Sequence, residues 1–101
     1  MDQLKVEDRG RSRWILLEGE LDQEEVLHLK AGFDAAVKRA KGDVVVDLSG
    51  VTFIATLGIG LIVSTREKLE ERGQTLKLAN VPAFIEKTFQ VMSLTEVFER
   101  V

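Results

Sequence analysis

The sequence has 101 residues, 45% of them hydrophobic, with 14 Lys and Arg against 17 Asp and Glu, a formal net charge of −3 and a pI near 5.2. A chain of this size buries roughly two-thirds of its unfolded surface, enough for one core and hardly two, so one domain spanning 1–101 is expected and collagen, coiled coil and disorder are excluded. The cations are scattered among acids, which removes the basic stripe of a nucleic-acid binder. The lack of cysteine removes disulfide scaffolds, thiolate zinc sites and thiol nucleophiles. No run of ~18 apolar residues or targeting segment is visible, so a cytoplasmic protein without membrane insertion is expected.

Leu4 to Glu7 and Arg13 to Glu18 are short alternating or apolar runs separated by a charged turn around Gly10, and they read as a β-hairpin. Asp22 then stands where a helix N-cap belongs, ahead of Glu24 and Glu25, whose charges suit the positive end of the helix dipole. The first helix is predicted from Gln23 to about Ala40, closed by Gly42, with Val26, Leu29, Phe33, Ala36, Val37 and Ala40 as its buried stripe. Asp43 to Leu48 is a β-branched run fit for a central strand, and Ser49-Gly50 reads as a turn of the chain. Val51 to Ile54 leads into a second helix that ends at Glu71 or Arg72, before Gly73. Its buried face is expected to be narrow: Gly58, Leu61, Ile62, Thr65 and Leu69. Ile59 and Val63, about 100° and about 140° round from Gly58, would then be exposed beside Arg66 as a docking patch.

Thr75 to Ala79 alternates as a strand, and Pro82 opens a third helix that includes Phe84, Ile85, Thr88, Phe89 and Met92. Leu94 to Arg100 is either an edge strand or a short helix. A hairpin followed by alternating helices and strands predicts an α/β domain, a mixed sheet with packed helices.

Catalytic constellations are scarce. His28, the single histidine, falls on the polar side of the first helix, and one His without Cys cannot supply the usual metal sites. Asp43 and Asp47 bracket a strand and read as turn-capping carboxylates rather than an acid/base pair. Gly58-Ile59-Gly60 lacks the third glycine of the dinucleotide fingerprint, where Val63 stands, and no Gly-Lys-Ser/Thr makes a phosphate loop. No enzyme activity and no cofactor are expected. Thr56, just before the second helix, has the residue type of an N-cap.

Gly19-Glu20-Leu21-Asp22, then Val46-Asp47-Leu48-Ser49-Gly50-Val51-Thr52-Phe53-Ile54-Ala55-Thr56-Leu57-Gly58-Ile59-Gly60, then Asn80-Val81 and Met92-Ser93-Leu94-Thr95-Glu96-Val97-Phe98 together resemble the STAS domain of bacterial anti-sigma factor antagonists. The resemblance spans essentially the whole chain. It implies a regulatory binding module that captures an anti-sigma factor or serine-kinase-like switch protein, with Thr56 aligned to the phosphorylatable serine and Asp22 to an acidic residue near it. Ala55 replaces the family's usual Asp, Leu57 its second small hydroxyl residue, and Ser93 the glycine of the closing motif. The partner-binding set on this reading is Asp22, Ala55, Thr56, Leu57, Gly58, Ile59, Val63 and Arg66. The resemblance also admits two other roles. One is the STAS subunit of a lipid-asymmetry ABC transporter, which carries a Thr at the position of Thr56 and docks on the ATPase; the other is a stressosome-like scaffold component.

Overall fold

The computed structural model describes residues 3–101. Leu4–Arg9 (β1) and Ser12–Leu21 (β2) form the antiparallel hairpin, turned at Gly10, whose φ of +60° is a conformation that glycine adopts without strain. β2 continues past Glu18 to Leu21 because it also pairs, in parallel, with Val44–Ile54 (β3), ending at the register pair Leu21 and Ile54.

Ser49-Gly50 does not turn the chain, as the sequence had suggested. β3 runs straight through it, and the register with β2 shifts between Leu16 and Glu18 and again between Gly19 and Glu20, β3 carrying one extra residue at each bulge. Gly50 has a steric reason to be there, whereas Ser49 contributes a backbone donor that any residue but proline would supply. The Ser49 N–H donates to Asp47 Oδ1 at 2.8 Å, and a Cβ at Gly50 would lie 2.8 Å from Glu18 Cβ.

Helix α1 is Gln23–Arg39, and Asp22 caps it as expected, its Oδ1 accepting from the Glu25 N–H at 2.9 Å. The predicted stripe is buried at Val26, Phe33, Ala36, Val37 and Ala40 and half-buried at Leu29. Ala40, not Gly42, caps the C-terminus. Gly42 answers to a different demand, because a Cβ there would collide with the Arg11 carbonyl.

Helix α2 is Thr56–Glu71, followed by Leu76–Ala79 (β4), Ala83–Val91 (α3) and Glu99–Arg100 (β5). The ambiguous segment after Leu94 resolves into turns and this two-residue edge strand, parallel to β4. Helix α3 ends with Leu94 N–H donating to the Phe89 carbonyl at 2.8 Å, and Ser93 takes the left-handed conformation, φ 58°, that this ending requires. A serine therefore stands where the backbone favours glycine, which is why the family motif carries glycine there.

The sheet order is β1-β2-β3-β4-β5, with β2 through β5 parallel. Right-handed crossovers that step the same way across a sheet put their helices on one face. Ile15, Leu17, Val44, Val46, Leu48, Leu76 and Leu78 accordingly join Val26, Phe33, Ile62, Leu69, Ile85 and Phe89 in one core. Parallel strands also end at one common edge, where Asp22, Ala55 and Pro82 open the three helices.

Candidate functional site

At that edge the Ala55 N–H donates to the Leu21 carbonyl at 2.8 Å. The bond holds β2 and β3 together one residue before each chain enters its helix, so Asp22 and Thr56 emerge side by side. Thr56 is not the N-cap that its type suggests. Ala55 occupies the cap, makes no side-chain hydrogen bond to the helix, and no acid stands in the first turn. The N-terminus of α2 is therefore left without side-chain compensation, and exposed Thr56 is its first residue, the place where free N–H groups and the helix dipole best receive an anion.

Thr56 and Leu57 also border a groove between α1 and α2, about 590 Å³ in volume, lined by Val26, Leu27, Leu57 and Leu61 with Lys30 and Ser64 at its margin. Leu27 is 58% exposed and Leu57 43%, an apolar surface that the fold leaves open to solvent. Phe53 and Phe84 are exposed as well, at the end of β3 and the start of α3.

The expected patch of Ile59 and Val63 does not exist. Ile59 is 1% exposed and Val63 is half-buried against the core, while half-buried Arg66 pairs with Glu70 at 3.1 Å. The buried arc of α2 runs from Leu61 through Gly58 to Ile59, about 160° at ~100° per residue, wider than the narrow stripe read from the sequence. Gly58 is likewise interior, for a Cβ there would come within 2.9 Å of Ile54 Cγ1 and 3.2 Å of Val26 Cγ2. Of the predicted binding set, the fold brings Asp22, Ala55, Thr56 and Leu57 to one surface and withdraws Gly58, Ile59 and Val63 from it. Leu27, Lys30, Gly60 and Ser64 were missed. Leu27 carried a signal, since it is a leucine off the buried stripe of α1, one turn after the cap.

The remaining candidates have structural roles. Asp47 is buried within β3, with Ser49 N–H on one oxygen and Asn80 Nδ2, at 2.9 Å, on the other. Burial pushes its pKa up, but the hydrogen bonds from Ser49 and Asn80, helped by the charge of Arg9, outweigh burial and hold it below the ordinary carboxylate value. Asp43 accepts from the Thr75 N–H at 3.1 Å, and His28 is exposed on α1. Among the described residues no group of three or more His, Asp or Glu side chains is placed to hold a metal ion, and no helix is long and apolar enough to cross a membrane.

A STAS-domain family model, described as "Mlab, STAS domain", matches residues 4–99. The chain belongs to this family, and its fold is that of the solved anti-sigma factor antagonists. An anti-sigma-factor antagonist (STAS) domain protein from Planctomyces limnophilus is 25% identical with a TM-score of 0.87, covering 96% of this chain and 87% of that one. An anti-sigma factor antagonist from Mycobacterium paratuberculosis is 23% identical, TM-score 0.85, covering 96% and 82%. The phosphorylated form of the Bacillus cell fate determinant SpoIIAA is 24% identical, TM-score 0.74, covering 97% and 90%. No curated protein sequence matches this one.

Proposed function

We propose that this chain is a non-catalytic regulatory module that captures an anti-sigma factor or a serine-kinase-like switch protein through the face formed by Thr56, Leu57 and the α1–α2 groove, and that phosphorylation of Thr56 releases the partner. The observation that carries this reading is the position of Thr56. It is an exposed hydroxyl on an uncapped helix N-terminus, at the lip of an open apolar groove. A phosphate there adds about −1.5 to −2 charges where the helix end tolerates them, so the fold accepts the modification. A partner surface fitted to the neutral hydroxyl does not accept it, and Asp22 beside it adds like charge; juxtaposition of this kind costs several kcal/mol, or about a hundredfold or more in affinity. Ala55 removes a carboxylate neighbour, which slows phosphorylation by taking away a group that orients the hydroxyl but leaves the phosphorylated state no less stable. Incubation with the cognate kinase and ATP tests this: label is expected on the parent and absent from Thr56→Ala, and label on the Ala variant rejects the site.

A second reading is favoured by the family model itself, which bears the name Mlab. On it the same face docks the ATPase of a lipid-asymmetry ABC transporter. Neighbouring permease and ATPase genes support that reading, whereas an adjacent serine-kinase-like gene supports the first. A cytoplasmic location follows from either.

A further inference from the structure

The cations are dispersed along the sequence, yet the fold gathers four of them at the end of the sheet opposite Thr56. Arg11 comes from the hairpin turn, Arg13 from β2, Arg39 from the end of α1 and Lys41 from the loop after it. With Asp8 and Gly10 they line a concavity of about 540 Å³, within the range of small-ligand sites.

The one acid of this lining is already committed. Arg13 donates from Nε to Asp8 Oδ1 at 2.8 Å and from Nη2 to Oδ2 at 3.0 Å, and its third contact is the Ala36 carbonyl at 3.1 Å. The hydrogen bond from Arg13 accordingly holds the Asp8 carboxyl below its ordinary pKa. Asp43, close by in sequence, turns its carboxylate to the Thr75 N–H and to Lys77, 3.7 Å away. Among the described residues Arg11, Arg39 and Lys41 therefore have no acidic partner.

Arg39 stands in the last turn of α1, where the helix dipole favours a cation, but the last carbonyls of the helix are not bonded by Arg11, Arg39 or Lys41. Arg72 serves the carbonyls of Val37, Lys38 and Ala40, and Gln74 those of Ala40 and Gly42. Three cations without an acidic partner thus converge in a chain whose net charge is −3. Their backbone is fixed in advance, since the Arg13 N–H donates to the Asp43 carbonyl at 2.8 Å and the Arg11 carbonyl packs on Gly42 where a side chain would not fit.

We propose that this concavity binds a small, multiply charged phosphate compound, gripped by Arg11, Arg39 and Lys41 against the fixed guanidinium of Arg13. Guanidinium groups suit phosphate oxygens through paired N–H donors, and the ammonium adds a point charge. No aromatic side chain lines the site, so the phosphate chain is recognised and any attached organic group is not. Helix α1, about 26 Å long, lies between this end of the sheet and the end at which Asp22 and Thr56 emerge, so the site is separate from the docking face.

Amide NMR titration of the full chain with inorganic pyrophosphate tests the proposal. Saturable shifts confined to Gly10, Arg11, Lys41, Gly42 and their neighbours are expected, with half-saturation at about 1 mM or below. Arg11→Ala combined with Lys41→Ala should weaken binding at least tenfold, while Lys87→Ala on α3 leaves it unchanged. Nucleoside triphosphates with different bases should bind equally well. Non-saturating shifts spread over all Lys and Arg residues overturn the site as adventitious ion pairing. Binding to vesicles of anionic phospholipid without binding of pyrophosphate also overturns it, in favour of a membrane surface.

Discussion

Gly58 and Gly60 flank Ile59 on the same helix, and the structure gives their replacement by alanine opposite signs. In a helix interior Gly→Ala gains about 0.5–1 kcal/mol, because the more flexible glycine loses more backbone entropy on folding. At Gly60 nothing lies within 4 Å of the new Cβ, so that gain stands alone. For a domain of this size it corresponds to a rise in Tm of about 2–8 °C. At Gly58 the same gain meets Ile54 Cγ1 at 2.9 Å, Ile54 Cδ1 at 3.1 Å and Val26 Cγ2 at 3.2 Å. Overpacking of that kind costs about 1–3 kcal/mol, which cancels the gain and leaves a net loss of up to about 2.5 kcal/mol and a lower Tm. Urea unfolding of both variants, with Gly32→Ala on α1 as a second open position, measures the difference with no partner present. If Gly58→Ala stabilises the protein as much as Gly60→Ala, then the start of α2 is not seated on Ile54 and Val26, and the packing of its first turn described above is wrong.

Ile59→Asp should unfold the protein or destabilise it by several kcal/mol, since it puts an unpaired carboxylate into the core; a folded variant by circular dichroism would contradict the burial of that residue. Asp47→Asn should lose about 1.5–3 kcal/mol at neutral pH, the worth of hydrogen bonds to a charged group. Because the folded pKa of Asp47 is depressed, its ionised form contributes fully above the unfolded value of about 3.9 and is lost as pH falls through the folded value. The gap between parent and Asp47→Asn in urea midpoints should therefore shrink below about pH 4, and a gap constant with pH would reject the ionised carboxylate as its cause.

The helices, strands and hairpin were legible because each carries its own periodicity, and Asp22 because a cap depends on residues within one turn. Ser49-Gly50 was misread for a physical reason. Small polar residues mark both reversals and bulges, and only the register against β2 tells them apart. Ile59 was misread because the width of a buried arc depends on how many neighbours a helix has, which no single helix sequence states. Arg11 and Lys41 show the same limit for charge, since the 29 residues that carry β2 and α1 separate side chains that share one concavity. Thr56 lay between these cases. The resemblance marked its position, but the shift of the cap to Ala55, which makes exposed Thr56 the first residue of the helix, is visible only in the backbone.

The central claim is that Thr56 and Leu57 form a docking face switched by charge. Its most direct measurement is quantitative affinity purification from the native host with four baits in parallel: the parent, Thr56→Ala, Thr56→Glu and Leu57→Asp. Both substituted sites, Thr56 and Leu57, are exposed positions at which folding is retained, since substitutions away from the core usually change stability by only about 0.5 kcal/mol. The account predicts that a protein with a serine-kinase-like domain, or a transporter ATPase on the second reading, is retained by the parent and by Thr56→Ala and depleted at least tenfold by Thr56→Glu and by Leu57→Asp. Retention of that partner by Thr56→Glu and Leu57→Asp at the parent level would contradict it.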